Sequence, residues 1–132
     1  MTHVDRRELA AIFAGGSVGA LARTGLVKLL PHGAGSWPWA TFVANVAGTF
    51  LLGWFVTRLQ ERLPLSAYRR PFLGTGLCGA LTTFSTVQVE LLNMLRGGHD
   101  ALALGYAAAS LSVGFAAVFA ATKLTRRVAV AA

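Results

Sequence analysis

Residues 79–86 read GALTTFST, so Thr82, Thr83, Ser85 and Thr86 gather four hydroxyls around a phenylalanine inside an apolar run from 71 to 95. A hydroxyl both donates and accepts hydrogen bonds. Such a cluster either bonds back to carbonyls one turn earlier and hides in a regular helix, or marks a broken one. A break is favoured because Gly79 weakens the helix and the hydroxyls can satisfy the backbone groups it frees. Inside lipid a break is tolerated only where protein or a water-lined cavity surrounds it. It leaves carbonyls that can hold a cation and amides at a helix N-terminus that favour an anion.

Four other polar side chains lie in apolar runs: Arg23, Asn45, Glu90 and Asn93. In lipid such groups are costly and face a bundle interior, a partner or a water-filled path. Asn45, in TFVANVAGTF, is the deepest in its run, and its amide can donate two hydrogen bonds, to an ion or to a neighbouring helix. Arg23 can snorkel to an interface along its stem, and Glu90 and Asn93, about one turn apart, can sit near water. No nucleophile–base constellation or nucleotide motif is visible, and His3, His32 and His99 fall in tails or loops without metal-ligand spacing. The chain reads as a non-enzyme, and Cys78 as a small packing residue.

These residues need a membrane scaffold. The 132 residues are 55% hydrophobic and only 13% charged, with a mean hydropathy of +0.58, against roughly 25% charged in a soluble domain. Apolar runs at about 9–30, 38–57, 71–95 and 101–122 predict one all-α integral membrane domain of four transmembrane helices, the third broken near its middle. HGAGSW, RLQERLPLSAYRR with Pro64, and RGGHD with Asp100 as a helix N-cap supply short turns, so successive helices should be antiparallel neighbours. Trp37, Trp39 and Tyr68 suit either an interfacial aromatic belt or ordinary loop packing. The small residues Gly15, Gly16, Gly19, Ala44, Gly48, Gly74, Gly76 and Gly79 let helix backbones approach closely.

The net charge of +7 does not imply nucleic acid, because the basic residues cluster at the ends of apolar runs. Arg6, Arg7, Arg58, Arg62, Arg69, Arg70, Lys123, Arg126 and Arg127 share one side of a four-span topology, and Lys28 and Arg96 the other. The positive-inside rule then puts both termini in the cytoplasm of a multi-pass plasma-membrane protein.

With these motifs in place, the chain resembles the Fluc (CrcB) family of small fluoride channels over nearly its whole length. AGGSVGALART is similar to the family's Gly-Gly-x-x-Gly-Ala-x-x-Arg opening. TFVANVAGTFLLG resembles its Thr-x-x-x-Asn-x-x-Gly-x-Phe-x-x-Gly segment, and GLCGALTTFSTVQVE its Gly-x-x-Gly-x-x-Thr-Thr-Phe-Ser-Thr-x-x-x-Glu signature. The resemblance implies two antiparallel subunits sharing two fluoride pores. It implies a central structural Na⁺ on the backbone carbonyls of Gly79 and Thr82. Asn45 would be the pore amide and Phe84 a pore ring whose positive edge faces the anion. Tyr106 and Ser110 match a polar track, Thr86 and Thr41 are further pore hydroxyls, and Arg23 and Glu90 take vestibule or structural places. The implied activity is passive export of cytoplasmic fluoride, protecting the cell from its toxicity.

One departure is informative. Family members commonly carry a second phenylalanine three residues after the first, and here that position is Val87. Together with the charge bias, which should fix one orientation, this points to a related partner chain of opposite orientation, with the homodimer as the alternative. Two competing readings remain: a small multidrug/proton antiporter, opposed by the lack of an acid within the first span beyond Glu8 at its start, and a non-conducting subunit of a two-chain channel.

Overall fold

The computed structural model describes residues 3–33, 35–61 and 68–130. The turn expected around Pro64, with Arg62, lies outside them. The described residues are helical, with no strand among them. Three helices are long and apolar enough to cross a membrane: Arg6–Leu29, Trp39–Arg58 and Asp100–Val128.

Helix α1 (Arg6–Leu29) starts at Asp5, whose carboxylate accepts from the Arg7 amide at 2.9 Å. Helix α2 spans Trp39–Glu61. The third expected span is two pieces. The first, α3, opens as a π-helix over Pro71–Cys78 and tightens to an α-turn at Gly79–Leu81. Thr82 and Thr83 are then extended, with ψ of 151° and 120°, and α4 (Phe84–Arg96) begins. The sequence signals anticipate the interruption but not the π winding. A π-helix is rare and tends to occur at functional sites, and Gly74 and Gly76 lower the cost of its loose backbone.

Gly98, at φ +77°, lets the chain reverse after α4, and the His99 amide returns to the Met94 carbonyl at 2.8 Å. Helix α5 runs Asp100–Val130, past the expected end at 122. Asp100 is its first residue rather than a cap before it, where its charge still meets the positive helix end.

Although the turns are short, the most extensive pairings are α1 with α3 and α2 with α5 rather than chain neighbours. Glycines explain the first. A Cβ on Gly15 would overlap the Phe72 carbonyl, one on Gly19 the Leu77 carbonyl, and one on Gly76 would lie 2.6 Å from the Ile12 carbonyl. Backbone therefore meets backbone, as close helix association in lipid requires. Gly15→Val should leave most of the protein aggregated when extracted in mild detergent, whereas Gly25→Ala, which meets nothing within 4 Å, should elute as the parent does. Size-exclusion chromatography reads both.

The core is small: Val87, Met94, Ala103 and Tyr106, with Trp37, Phe42, Leu91 and Leu102 packed on it. Trp37 meets Tyr106 and Phe42 edge-on at 5.4 Å each, so it is a packing residue, while Trp39 stays exposed. The accessible surface is 8555 Å², against about 6,700 Å² for a folded soluble monomer of this mass. Large apolar side chains contribute to it, Phe13, Leu21, Leu104 and Phe115 among them, each largely exposed. These faces belong against lipid or protein rather than water.

Candidate functional site

The site is built around the gap between α3 and α4. The last carbonyls of a helix and the first amides of the next have no partner within their helices, and here two such sets meet at Thr82 and Thr83. Asn45, from α2, stitches the gap: the Thr83 amide donates to Asn45 Oδ1 at 2.8 Å, and Asn45 Nδ2 donates to the Thr83 carbonyl at 3.1 Å. A side-chain amide thus takes the role of a neighbouring strand for one residue.

The hydroxyls divide the remaining work. Thr83 Oγ1 accepts from the Thr86 amide at 3.2 Å, capping α4, and donates to Thr86 Oγ1 at 3.0 Å. Ser85 Oγ lies 3.4 Å from it. Thr82 turns the other way: its amide and its Oγ1 both donate to the Cys78 carbonyl, at 3.0 and 2.8 Å. Its methyl seats against Gly48 of α2, where no Cβ fits. Both readings of the hydroxyl cluster therefore hold in part. Thr82 bonds back in the helical manner, and Thr83 caps a new helix across the break.

Beside the gap is a groove of about 450 Å³. Asn45, Thr49, Thr82, Thr83, Phe84 and Ser110 line it together with apolar residues including Val87 and Leu111. Phe84 is 80% exposed at the start of α4, an unusual place for a large ring in a short-cored protein. The Ser110 hydroxyl is buried with no protein partner, and Asn45 retains a second amide hydrogen beyond the one given to Thr83. The groove thus offers neutral donors, an aromatic edge and the positive end of α4, which suits a small anion. Gly79 and Thr82 lie at the end of α3, on the other side of the gap from α4. Among the described residues no cluster of three or more His, Cys, Asp or Glu exists.

A second polar cluster lies farther along α4. Glu90 is buried and accepts from Thr41 Oγ1 at 2.6 Å and from the Tyr106 hydroxyl at 2.7 Å, joining α2, α4 and α5. His32 Nε2 stands 3.9 Å from Glu90 Oε1. The structure therefore brings Asn45, Phe84 and Ser110 into one groove and Thr41, Tyr106 and Glu90 into one cluster. Thr86 sits behind Thr83, its hydroxyl engaged. Arg23 is half-buried on α1 and does not line the groove. Sequence reasoning missed Thr83 as the partner of Asn45 and Gly48 as the seat of Thr82. It also gave no sign that His32 stands near Glu90, because residues far apart in sequence give no local signal of contact.

Two kinds of comparison bear on this arrangement. A family model described as CrcB-like protein, Camphor Resistance (CrcB), matches residues 10–122. The chain is 58% identical over 130 residues, 98% of each chain, to a protein of Mycolicibacterium paratuberculosis called fluoride-specific ion channel FluC 1. It is 59% identical over 128 residues, 97% of each, to the protein of that name from Mycobacterium tuberculosis. A Nocardia farcinica protein, fluoride-specific ion channel FluC 2, is 39% identical over 93% of this chain and 88% of its own length.

Proposed function

The chain belongs to the CrcB-like family, and from that premise we propose that it is a fluoride-specific ion channel, a multi-pass membrane protein that lets cytoplasmic fluoride leave passively. A channel makes and breaks no covalent bond, so this is not an enzyme. The observation that carries the reading is the Asn45 stitch across the Thr82–Thr83 gap, with Phe84 and Ser110 in the same groove.

Fluoride is small and strongly hydrated, so a pore must replace its water with close, fixed donors. Asn45 is fixed by Thr83, and its second amide hydrogen is the first donor. The Ser110 hydroxyl, buried without a partner, is the second. The Phe84 ring edge makes a dry constriction that favours a bare anion over larger ones. Tyr106 and Thr41, whose protons point to Glu90, form the wall toward the mouth rather than free donors. Arg23, which does not line the groove, acts at a distance by raising local anion concentration.

In this reading α3 and α4 together make the fourth crossing, with both termini cytoplasmic. Na⁺ on the carbonyls of Gly79 and Thr82 would supply fixed positive charge at the gap and hold the two half-helices in register. The exposed apolar faces of α1 and α5 are covered by lipid and by a second subunit in the opposite orientation. Val87 is buried beside Tyr106, and the missing second ring and the charge bias favour a related chain as that subunit, a homodimer being the alternative. A non-conducting subunit is the second functional reading, for the same reason.

The test is fluoride efflux from liposomes, followed with a fluoride electrode. The purified chain, alone or with a related chain of opposite charge bias, should release fluoride and retain chloride, with flux collapsing when Na⁺ is replaced by N-methylglucamine. Flux only with the second chain identifies a two-chain channel. Drug or chloride transport without fluoride flux overturns the reading.

A further inference from the structure

His32 and Glu90 face each other at a hollow of about 190 Å³ that Gly33, Asn93 and Met94 complete. The hollow lies between the α1–α2 turn and the end of α4, and the His99 ring, against Gly35 and Gly97, shows that the two turns meet at this end. His32 reaches solvent, its side chain 31% exposed, while Glu90 is 9% exposed. The carboxylate accepts from Thr41 of α2 and Tyr106 of α5, both neutral donors. Of the other ionisable groups at this end, Lys28 closes α1, Arg96 closes α4, Asp100 opens α5 and His99 lies in the second turn. His32 is the basic group within 4.0 Å of the Glu90 oxygens.

A buried carboxylate is a poor neighbour for an entering anion, because like charges repel strongly where water is scarce. Histidine is the side chain whose charge ordinarily changes between about pH 5 and pH 8. We propose that His32 is a positioning residue for anion entry that acts through Glu90. When protonated it pairs with the carboxylate and cancels its charge at the mouth; when neutral it leaves that charge facing the incoming ion. Conduction on this side then rises as pH falls. The idea rests on the fluoride reading and adds to it a proton dependence seated in two named residues. Glu90 still holds Thr41 and Tyr106 in either state, so the switch alters the field at the mouth rather than the wall behind it.

The experiment is fluoride efflux from vesicles holding the full chain, with any second subunit it requires. Buffers are symmetric and stepped from about pH 7.5 to about pH 5.5, spanning the histidine range. Flux from protein-free vesicles is subtracted at each pH, because undissociated HF crosses lipid unaided. Flux should rise roughly fivefold on acidification across the histidine range. His32→Gln should flatten the profile. His32→Lys, charged throughout, should hold the high flux at both ends. His99→Gln, at the same end but not on Glu90, should keep the parent profile. A flat parent profile, or a rise that survives His32→Gln, overturns the proposal and leaves the fluoride reading standing. Absence of protein-dependent fluoride flux at every pH overturns both.

Discussion

Asn45→Asp should fold, assemble and pass almost no fluoride. The substitution keeps the size of the side chain and one of its two bonds, since a carboxylate still accepts from the Thr83 amide. It loses the donor to the Thr83 carbonyl and the second amide hydrogen of a residue that lines the groove. It also sets a negative charge beside the path. Two like charges about 4 Å apart repel by about 4 kcal/mol at an effective dielectric of about 20, or about a thousandfold in occupancy. Electrode-measured efflux should therefore fall to the level of protein-free vesicles while the gel-filtration profile stays that of the parent. Asn45→Ala is the informative contrast. It leaves both backbone groups of Thr83 without partners, at about 1–3 kcal/mol for each unsatisfied buried group, so it should lower thermal stability in detergent as well as flux. Fluoride efflux in Asn45→Asp within about threefold of the parent, well short of that thousandfold expectation, would sink the assignment of Asn45 to the path.

Much of this scaffold was legible because its signals are local. Apolar runs gave helices at nearly their observed positions, Gly79 with TTFST gave the break, and Asn45 stood out as an amide deep in its run. What stayed hidden was pairing. Nothing in NVAGT says that Asn45 meets Thr83, 38 residues on, or that the glycine three residues later receives the Thr82 methyl. The same blindness left unseen that His32 stands near the buried Glu90 carboxylate and that Trp37 packs on Tyr106. The π winding of Pro71–Cys78 was also unreadable. Its eight residues carry no local signal of that winding, and they lie where α3 meets the backbone of α1. Local chemistry is written in neighbouring residues, whereas the register of two helices is set by shape at their contact.

Gly48 carries the sharpest test of that contact, because it ties packing to conduction through one methyl group. A Cβ there would overlap Thr82 Cγ2 and lie 3.6 Å from Leu81 Cδ2. Threonine cannot swing its methyl away freely, because its Oγ1 is bonded to the Cys78 carbonyl at 2.8 Å. Gly48→Ala should thus push Thr82 and its carbonyl out of place at about 1–3 kcal/mol, the usual cost of overpacking. Stability in detergent should drop, and fluoride efflux should fall by about fivefold or more, since 1.4 kcal/mol is a factor of about ten. Thr82→Ser removes the offending methyl and retains the hydroxyl bond, so by itself it should be nearly silent. The two together should recover most of the stability and the flux, a coupling of more than about 1 kcal/mol between residues in contact. If the double variant is no better than Gly48→Ala alone, Gly48 is not the seat of Thr82. If stability returns without flux, the Thr82 methyl matters to packing but the placement of its carbonyl does not govern conduction.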